Sequence, residues 1–301
     1  MGKPLLQGVR VLDIAGEPLA MAARMLADLG AEVVRLEPPG GDPLRRIPPL
    51  DPRTGQSFRF TAFSAGTRSV TYRPDDPAID RLLCGAHIVL ETPHFPGVLR
   101  LDHTRAPQAV WLQATPFGMQ GPRGHWQATD LGILAASGNL YATGFGDRAP
   151  VRCSEPAAYA HASAEAVFAA LTGLASGQPH CIDLSMAEAV MLANMGAPGQ
   201  FPRTGNRGRR MGAALGSTRE IWPCADGFVS FGLRGGPARA HNFAILLAQM
   251  NKAGIVAEAW VDRDWLTFNA AELDEDELEA IQQPLAQYFA MHSMTALYEL
   301  A

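Results

Sequence analysis

No apolar run in this chain reaches the length of about 20 residues needed to cross a bilayer. Its start, MGKPLLQGVR, lacks the apolar core and small-residue cleavage site of a secretion signal, so a cytoplasmic protein is expected. Cysteine is scarce, with 4 residues among 301. Cys84, Cys153, Cys181 and Cys224 stand at neither CxxC nor zinc-ligand spacing. They are expected to be reduced, mostly buried thiols rather than a disulfide framework. The 8 histidines form no HExxH pattern, and no metal site is expected. Cationic surplus is also absent. The net charge of −5 gives no electrostatic case for nucleic acid or an anionic membrane as partner. No internal repeat is evident.

What is present is the composition of a soluble globular protein, 47% hydrophobic and 18% charged. The rest is organised around Leu6–Asp42. Val9, Val11, Leu12 and Ile14 predict a short buried strand. Gly16 and Pro18 punctuate a turn, with Pro18 suited to a first helical turn. Leu19, Ala22, Ala23, Leu26 and Leu29 share one helical face, and Gly30 stops the helix. Ala31–Glu37 predicts a second strand. Strand, helix and strand at this length make a right-handed βαβ unit with parallel strands. The dinucleotide fingerprint is disfavoured, because this turn carries only Gly16 where three glycines are wanted.

Further along, Pro38–Gly55 reads as a loop. Arg45 and Arg46 in it are either a forked phosphate grip or two solvated cations. Gly66–Thr71 predicts a short strand or turn, Tyr72–Pro77 a polar loop, Ile79–Leu83 a short helix, and His87–Leu90 and Ala109–Ala114 strands. Ligands of open α/β sheets lie at the carboxyl ends of strands, where Pro93, His94 and Phe95 fall. The alternative is that these three pack on the next helix. Ala157–Thr172 predicts an alanine-rich helix packed closely on a neighbour. On it His161 and Glu165, four apart, are either an oriented acid–base pair or an ordinary surface pair. Ile182–Leu184 predicts a strand, and Ser185 caps the helix Met186–Met195. Ala197–Arg210 predicts an irregular connector. Its Arg203, Arg207, Arg209 and Arg210 either attract phosphates or are solvated. Ile221–Leu233 predicts a strand pair, Ala238–Ala253 and Asp276–Phe289 helices, and the acidic run Asp274–Glu279 a helix N-terminus.

Several segments, in order, resemble the family III CoA-transferases, which include formyl-CoA transferase and α-methylacyl-CoA racemase. They are ADLGAEVVRLEPPGGDPLR (Ala27–Arg45), GTRSVTY (Gly66–Tyr72), HFPGVLRL (His94–Leu101), TPFGMQGPRGHWQATDLGILAASG (Thr115–Gly138), CIDLSMAEAV (Cys181–Val190) and IWPCADGFVSF (Ile221–Phe231). The resemblance implies a Rossmann-like parallel-sheet α/β domain over 1–198, a connector over 199–216 and a smaller α+β domain over 217–301. It implies interlocked dimers, either a homodimer or a heterodimer with a related chain. It also implies coenzyme A and acyl-CoA as substrates rather than a permanently bound cofactor, with a carboxylic acid as acceptor. Residues carried over to CoA binding are Ala15, Arg45, Arg68, Tyr72, Pro93, His94, Phe95, Arg100 and Asp130, and Met211–Ser217 matches a mobile glycine loop. The family's arginine after the second-strand glutamate is Pro38 here. Thr129, not histidine, precedes Asp130, which argues against a racemase. Family members continue beyond Ala301, so either the chain is truncated or another polypeptide supplies the remainder.

In the family an aspartate attacks the acyl-CoA thioester. No aspartate lies between Asp147 and Asp183. Counting back from Ala169–Leu171 lands on Glu155 or Pro156. Glu155 is therefore either the attacking carboxylate, one methylene longer, or a surface glutamate before a helix. Three functions follow: a CoA-transferase using Glu155, other CoA-thioester chemistry with His161 as base, or a non-catalytic CoA-binding subunit.

Overall fold

The computed structural model describes residues 2–73, 76–96, 98–205, 208–215 and 217–301. Gly97, Arg207, Gly216 and the Pro74–Asp75 part of the predicted polar loop lie outside the described residues. The chain divides into two compact units, Met1–Tyr141 with Val151–Gly208, and Ala142–Pro150 with Arg209–Ala301.

The first unit is α/β. Its parallel strands are β1 (Arg10–Asp13), β2 (Glu32–Glu37), β3 (Arg68–Thr71), β4 (Ile88–Glu91), β5 (Val110–Thr115) and β6 (His180–Ser185). They form a six-stranded sheet of order β3-β2-β1-β4-β5-β6. The order reverses between β1 and β4, which makes their carboxyl ends a topological switch point. Both faces of the sheet are covered, so its central strands are apolar on successive residues rather than alternately. One face carries Val11, Val33, Ile88, Leu90, Val110 and Leu112, packed with residues of α1 (Ala20–Asp28), α4 (Asp130–Ala136), α5 (Ala157–Ala175) and α6 (Met186–Met191). The other carries Leu12, Leu36, Val89 and Trp111 with Ile79 and Leu83 of α3 (Ala78–Cys84).

The opening unit matches its pattern. Gly16 has φ 67°, a left-handed conformation that suits glycine, and it leads into a 3₁₀ turn with Pro18 in its first positions. Gly30, φ 99°, follows the end of α1. Helix α5 buries only small residues and one valine, among them Ala158, Ala162, Ala166 and Ala170. At Gly173 the approach to the sheet is so close that a Cβ would stand 2.9 Å from a Val110 methyl. Ser185 caps α6 by accepting the Glu188 N–H at 3.3 Å.

Two expectations need correcting, and one helix had no expectation. The predicted connector is in part a helix, α7 (Gly196–Thr204), which buries no residue and ends on left-handed Gly205. Its proline and glycine hid it, yet Pro202 is tolerated on a helix exposed all round. Helix α2 (Phe58–Ser64) was not anticipated. It too buries nothing and shows no apolar stripe, although Ser57 caps it by accepting the Phe60 N–H. The cysteines are free but not buried. Cys84, Cys153 and Cys181 are exposed and Cys224 is intermediate, because they lie at a helix end, in a loop, on an edge strand and beside a turn.

The second unit is α+β. β9 (Ile221–Cys224) and β10 (Gly227–Ser230) form an antiparallel hairpin, and β7 (Ala214–Leu215) pairs with β8 (Thr218–Arg219). Helices α8 (Pro237–Lys252), α9 (Glu275–Ala290) and α10 (Met294–Leu300) complete it. Its core is aromatic: Trp222, Phe243, Trp260, Trp265, Tyr288 and Phe289 are all buried. The acidic run starts α9 with a capping box between Asp274 and Glu277.

Candidate functional site

A cavity of about 220 Å³ opens in the first unit at the carboxyl ends of the strands. Each of four parallel strands sends the chain that follows it into the wall. Gly16–Glu17–Pro18 follow β1, Pro38 and Asp42 follow β2, Tyr72 follows β3, and Phe95 follows β4. Ala128, Thr129 and Tyr159 close the far side. Phe95 meets Tyr159 edge to face at 5.8 Å between ring centroids. This pairing is favourable beyond simple burial by about 1 kcal/mol.

The turn after β1 is held from beneath. Asp13 is fully buried and accepts hydrogen bonds from Arg35 Nε at 2.7 Å and the Ala15 N–H at 3.0 Å. The Thr92 hydroxyl donates to the Ala15 carbonyl. Ala15 is thereby fixed with no exposed surface, and its neighbours Gly16 and Glu17 face the cavity.

Three acids around the cavity sit above their ordinary values. Burial is the leading cause for Glu17, opposed by the Arg59 charge and reinforced by Asp42 and Asp130. Burial likewise raises Asp42, against the Leu44 N–H and Arg35. It raises Asp130 against the N–H groups of Tyr159 and Ala158. Tyr159 is pushed up to about 12 by burial, with the charge of Glu17 adding to it. Tyr72 is raised by burial.

Glu37 behaves oppositely. Burial would raise it, but Arg45 donates two hydrogen bonds at 2.6 Å each, and Ser69 and the Asp42 N–H add theirs. Together they bring it down to about 2. A lowered carboxylate stabilises the fold above its unfolded value, and that stability is lost as pH falls through the folded one. The displacement from 4.5 to about 2 corresponds to roughly 3 kcal/mol. The Arg45 side chain is 40% exposed, so water screens the pair and about 2 kcal/mol is expected. Urea unfolding of the parent and Glu37→Gln should differ by that amount at pH 7 and converge between pH 4.5 and 2. A gap that persists at low pH contradicts the ionic assignment.

The residues singled out in the sequence are placed as follows. Tyr72 and Phe95 line the cavity, Pro93 is buried beside it in sequence, and His94 is half-buried with a buried Nδ1 that has no hydrogen-bond partner among the described residues. Arg45 is committed to Glu37 and lies over the Phe60 ring at 3.9 Å, so it is no free phosphate fork. Arg46 donates to the Gly40 carbonyl. Arg68 is exposed on the edge strand and pairs with Glu32 at 2.8 Å. Arg100 is exposed. Asp130 accepts the Tyr159 N–H at 3.1 Å, so it acts as an N-terminal cap for α5, whose own preceding residue, Pro156, offers no side-chain cap. His161 is exposed on α5.

Glu155 is 68% exposed and pairs with Arg59 Nη2 at 2.9 Å. Arg59 is only 14% exposed and reaches Glu17 with Nη1 at 3.4 Å. One guanidinium thus joins the glutamate before α5 to a glutamate in the cavity wall. Sequence reasoning missed both Glu17 and Arg59. The place of Glu17, just past a first strand, was a usable signal. Arg59 gave none, because its helix was not anticipated.

A doubly wound sheet with a crevice at its switch point places the chain in an α/β class that hosts many activities. The chain belongs to CoA-transferase family III, whose model matches residues 6–300. It is 31% identical over 238 residues to the succinyl-CoA:(R)-benzylsuccinate CoA-transferase subunit BbsE of Thauera aromatica, covering 73% of this chain and 58% of that one. It is 30% identical to the succinate–glutarate CoA-transferase of Agrobacterium fabrum, covering 75% of this chain and 62% of that one. A crystal structure of a CAIB/BAIF family protein from Brucella suis shares the fold, with TM-score 0.78, 20% identity, and 98% and 81% of the two chains covered. The chain therefore spans under two thirds of these curated relatives' length. Among the described residues no helix is long and apolar enough to cross a membrane, and no cluster of three or more His, Cys, Asp and Glu could hold a metal.

Proposed function

We propose that this protein moves CoA between an acyl-CoA and a carboxylic acid, with Glu155 as the acyl-accepting carboxylate. The carboxylate oxygen attacks the thioester carbon, the carbon–sulfur bond breaks, and CoA leaves as thiolate with that electron pair. The acceptor carboxylate then attacks the acyl carbonyl of the resulting mixed anhydride, which frees Glu155 and leaves an acyl–acceptor anhydride. The CoA thiolate attacks the acceptor's carbonyl carbon, forming its thioester and releasing the donor acid as carboxylate. The observation that carries this reading is the Arg59 bridge. It holds Glu155 through a charge-assisted hydrogen bond to an arginine that also reaches the wall of the strand-end cavity. Tyr72 and Phe95 offer flat apolar surface to a base. The exposed Arg68 and Arg100 are the cations on which phosphates can draw, and Pro93, His94 and Asp130 shape the surrounding loops. His161 serves no step of this route. The protein acts in the cytoplasm, as a homodimer or with a related chain, and draws CoA from its substrate rather than from a resident cofactor.

Incubation with succinyl-CoA followed by hydroxylamine trapping and peptide mass spectrometry tests the proposal. A hydroxamate on Glu155 is the expected product. Binding of CoA, read as a raised melting temperature, without any enzyme-bound acyl group replaces the proposal with a CoA-binding, non-catalytic subunit. Failure to bind CoA at all removes both.

A further inference from the structure

The strand-end cavity has a one-sided charge pattern. Its walls run from Ile14 to Tyr159, and the charged residues in them are Glu17 and Asp42. Among the described residues no lysine or arginine lines it. The arginines tied to these walls are engaged. Arg45 donates twice to Glu37, Arg59 divides its guanidinium between Glu17 and Glu155, and Arg35 donates to Asp13.

The ground after β2 decides what such walls can read. In doubly wound sheets a ribose is read there, by a carboxylate when its hydroxyls are free and by an arginine when one carries phosphate. A carboxylate accepts from a hydroxyl, but beside a phosphate it is a like charge. Here that ground offers Pro38, which has no N–H to donate, and Asp42. Asp42 is only 5% exposed, and its Oδ1 accepts the Leu44 N–H at 2.8 Å. Its Oδ2 stands 3.7 Å from Arg35 Nη1 and, among the described residues, accepts no hydrogen bond. A nearly buried carboxylate with an oxygen still able to accept therefore borders the cavity.

The cavity, about 220 Å³, falls below the roughly 300–1,000 Å³ of sites for whole drug-sized ligands, so it takes one part of a larger molecule. Tyr72 and Phe95 in the same walls suit a base with its sugar. We propose that the substrate is a CoA-type thioester whose adenosine ribose has free hydroxyls, as in dephospho-CoA, in preference to the 3′-phosphorylated CoA ester. The inference rests on this cavity holding the nucleotide end of the transferase substrate.

Calorimetry on the full chain tests it with dephospho-CoA and CoA as probes. Dephospho-CoA is expected to bind at least about tenfold more tightly than CoA. Asp42→Asn should bring the two within about threefold of each other. Pro38→Arg should strengthen CoA by about tenfold and leave dephospho-CoA little changed. Melting temperatures establish that both variants are folded. CoA bound as tightly as dephospho-CoA by the parent overturns the proposal, as does a preference that Asp42→Asn leaves intact. Hydroxylamine trapping with succinyl-CoA and succinyl-dephospho-CoA separates it from the transferase reading. A Glu155 hydroxamate without a ribose preference ends the ribose proposal alone. A ribose preference without a hydroxamate from either thioester ends the Glu155 route alone, and no binding of either nucleotide ends both.

Discussion

Glu155→Gln is expected to lower the CoA-transfer rate by at least about a thousandfold, some 4 kcal/mol of transition-state stabilisation. The amide keeps a hydrogen-bond acceptor for Arg59 but is no nucleophile. The measurement is kcat/KM for passing CoA from succinyl-CoA to a second carboxylic acid. A rate equal to the parent's sinks the role of Glu155 and assigns the transfer to another group. Glu17→Gln separates the two carboxyls. It removes the charge that holds Arg59 from the cavity side, so Glu155 is less firmly positioned and kcat/KM should fall by about tenfold. An unchanged kcat/KM means that the two glutamates are not coupled through Arg59.

Arg35→Met is expected to be the most destabilising exchange near the site, by about 3–5 kcal/mol, because it leaves Asp13 as a buried charge with only the Ala15 N–H. The melting temperature should fall by roughly 10 °C. The double variant Asp13→Leu with Arg35→Met should recover part of that loss, since removing both charges also removes the desolvation cost. A double variant as unstable as Arg35→Met alone indicates a steric role for the pair. The effect reaches function, because Asp13 fixes the Ala15 amide and with it the turn that presents Glu17.

Much of the first unit was legible because its signals are local. The apolar spacing from Leu19 to Leu29, the glycine at 16 and the glycine at 30 fix a strand–helix–strand at short range. Phe95 could be placed at the cavity because ligands of α/β sheets lie at the carboxyl ends of strands, whereas Tyr72 came only with the family resemblance. Helices α2 and α7 bury no residue, so no core contact marks them, and in α7 the glycines and Pro202 read as a connector. The sequence left Arg45 open between a phosphate grip and a solvated cation, and its two hydrogen bonds to Glu37 fit neither.

By itself, the sequence determined the kind of sheet, the position of its first turn and the family, all set by short-range pattern and ordered motifs. The tertiary structure decided which charges are paired. Residue pairs such as Arg59 with Glu155, 96 positions apart, meet only once the sheet is built, and no local pattern encodes them.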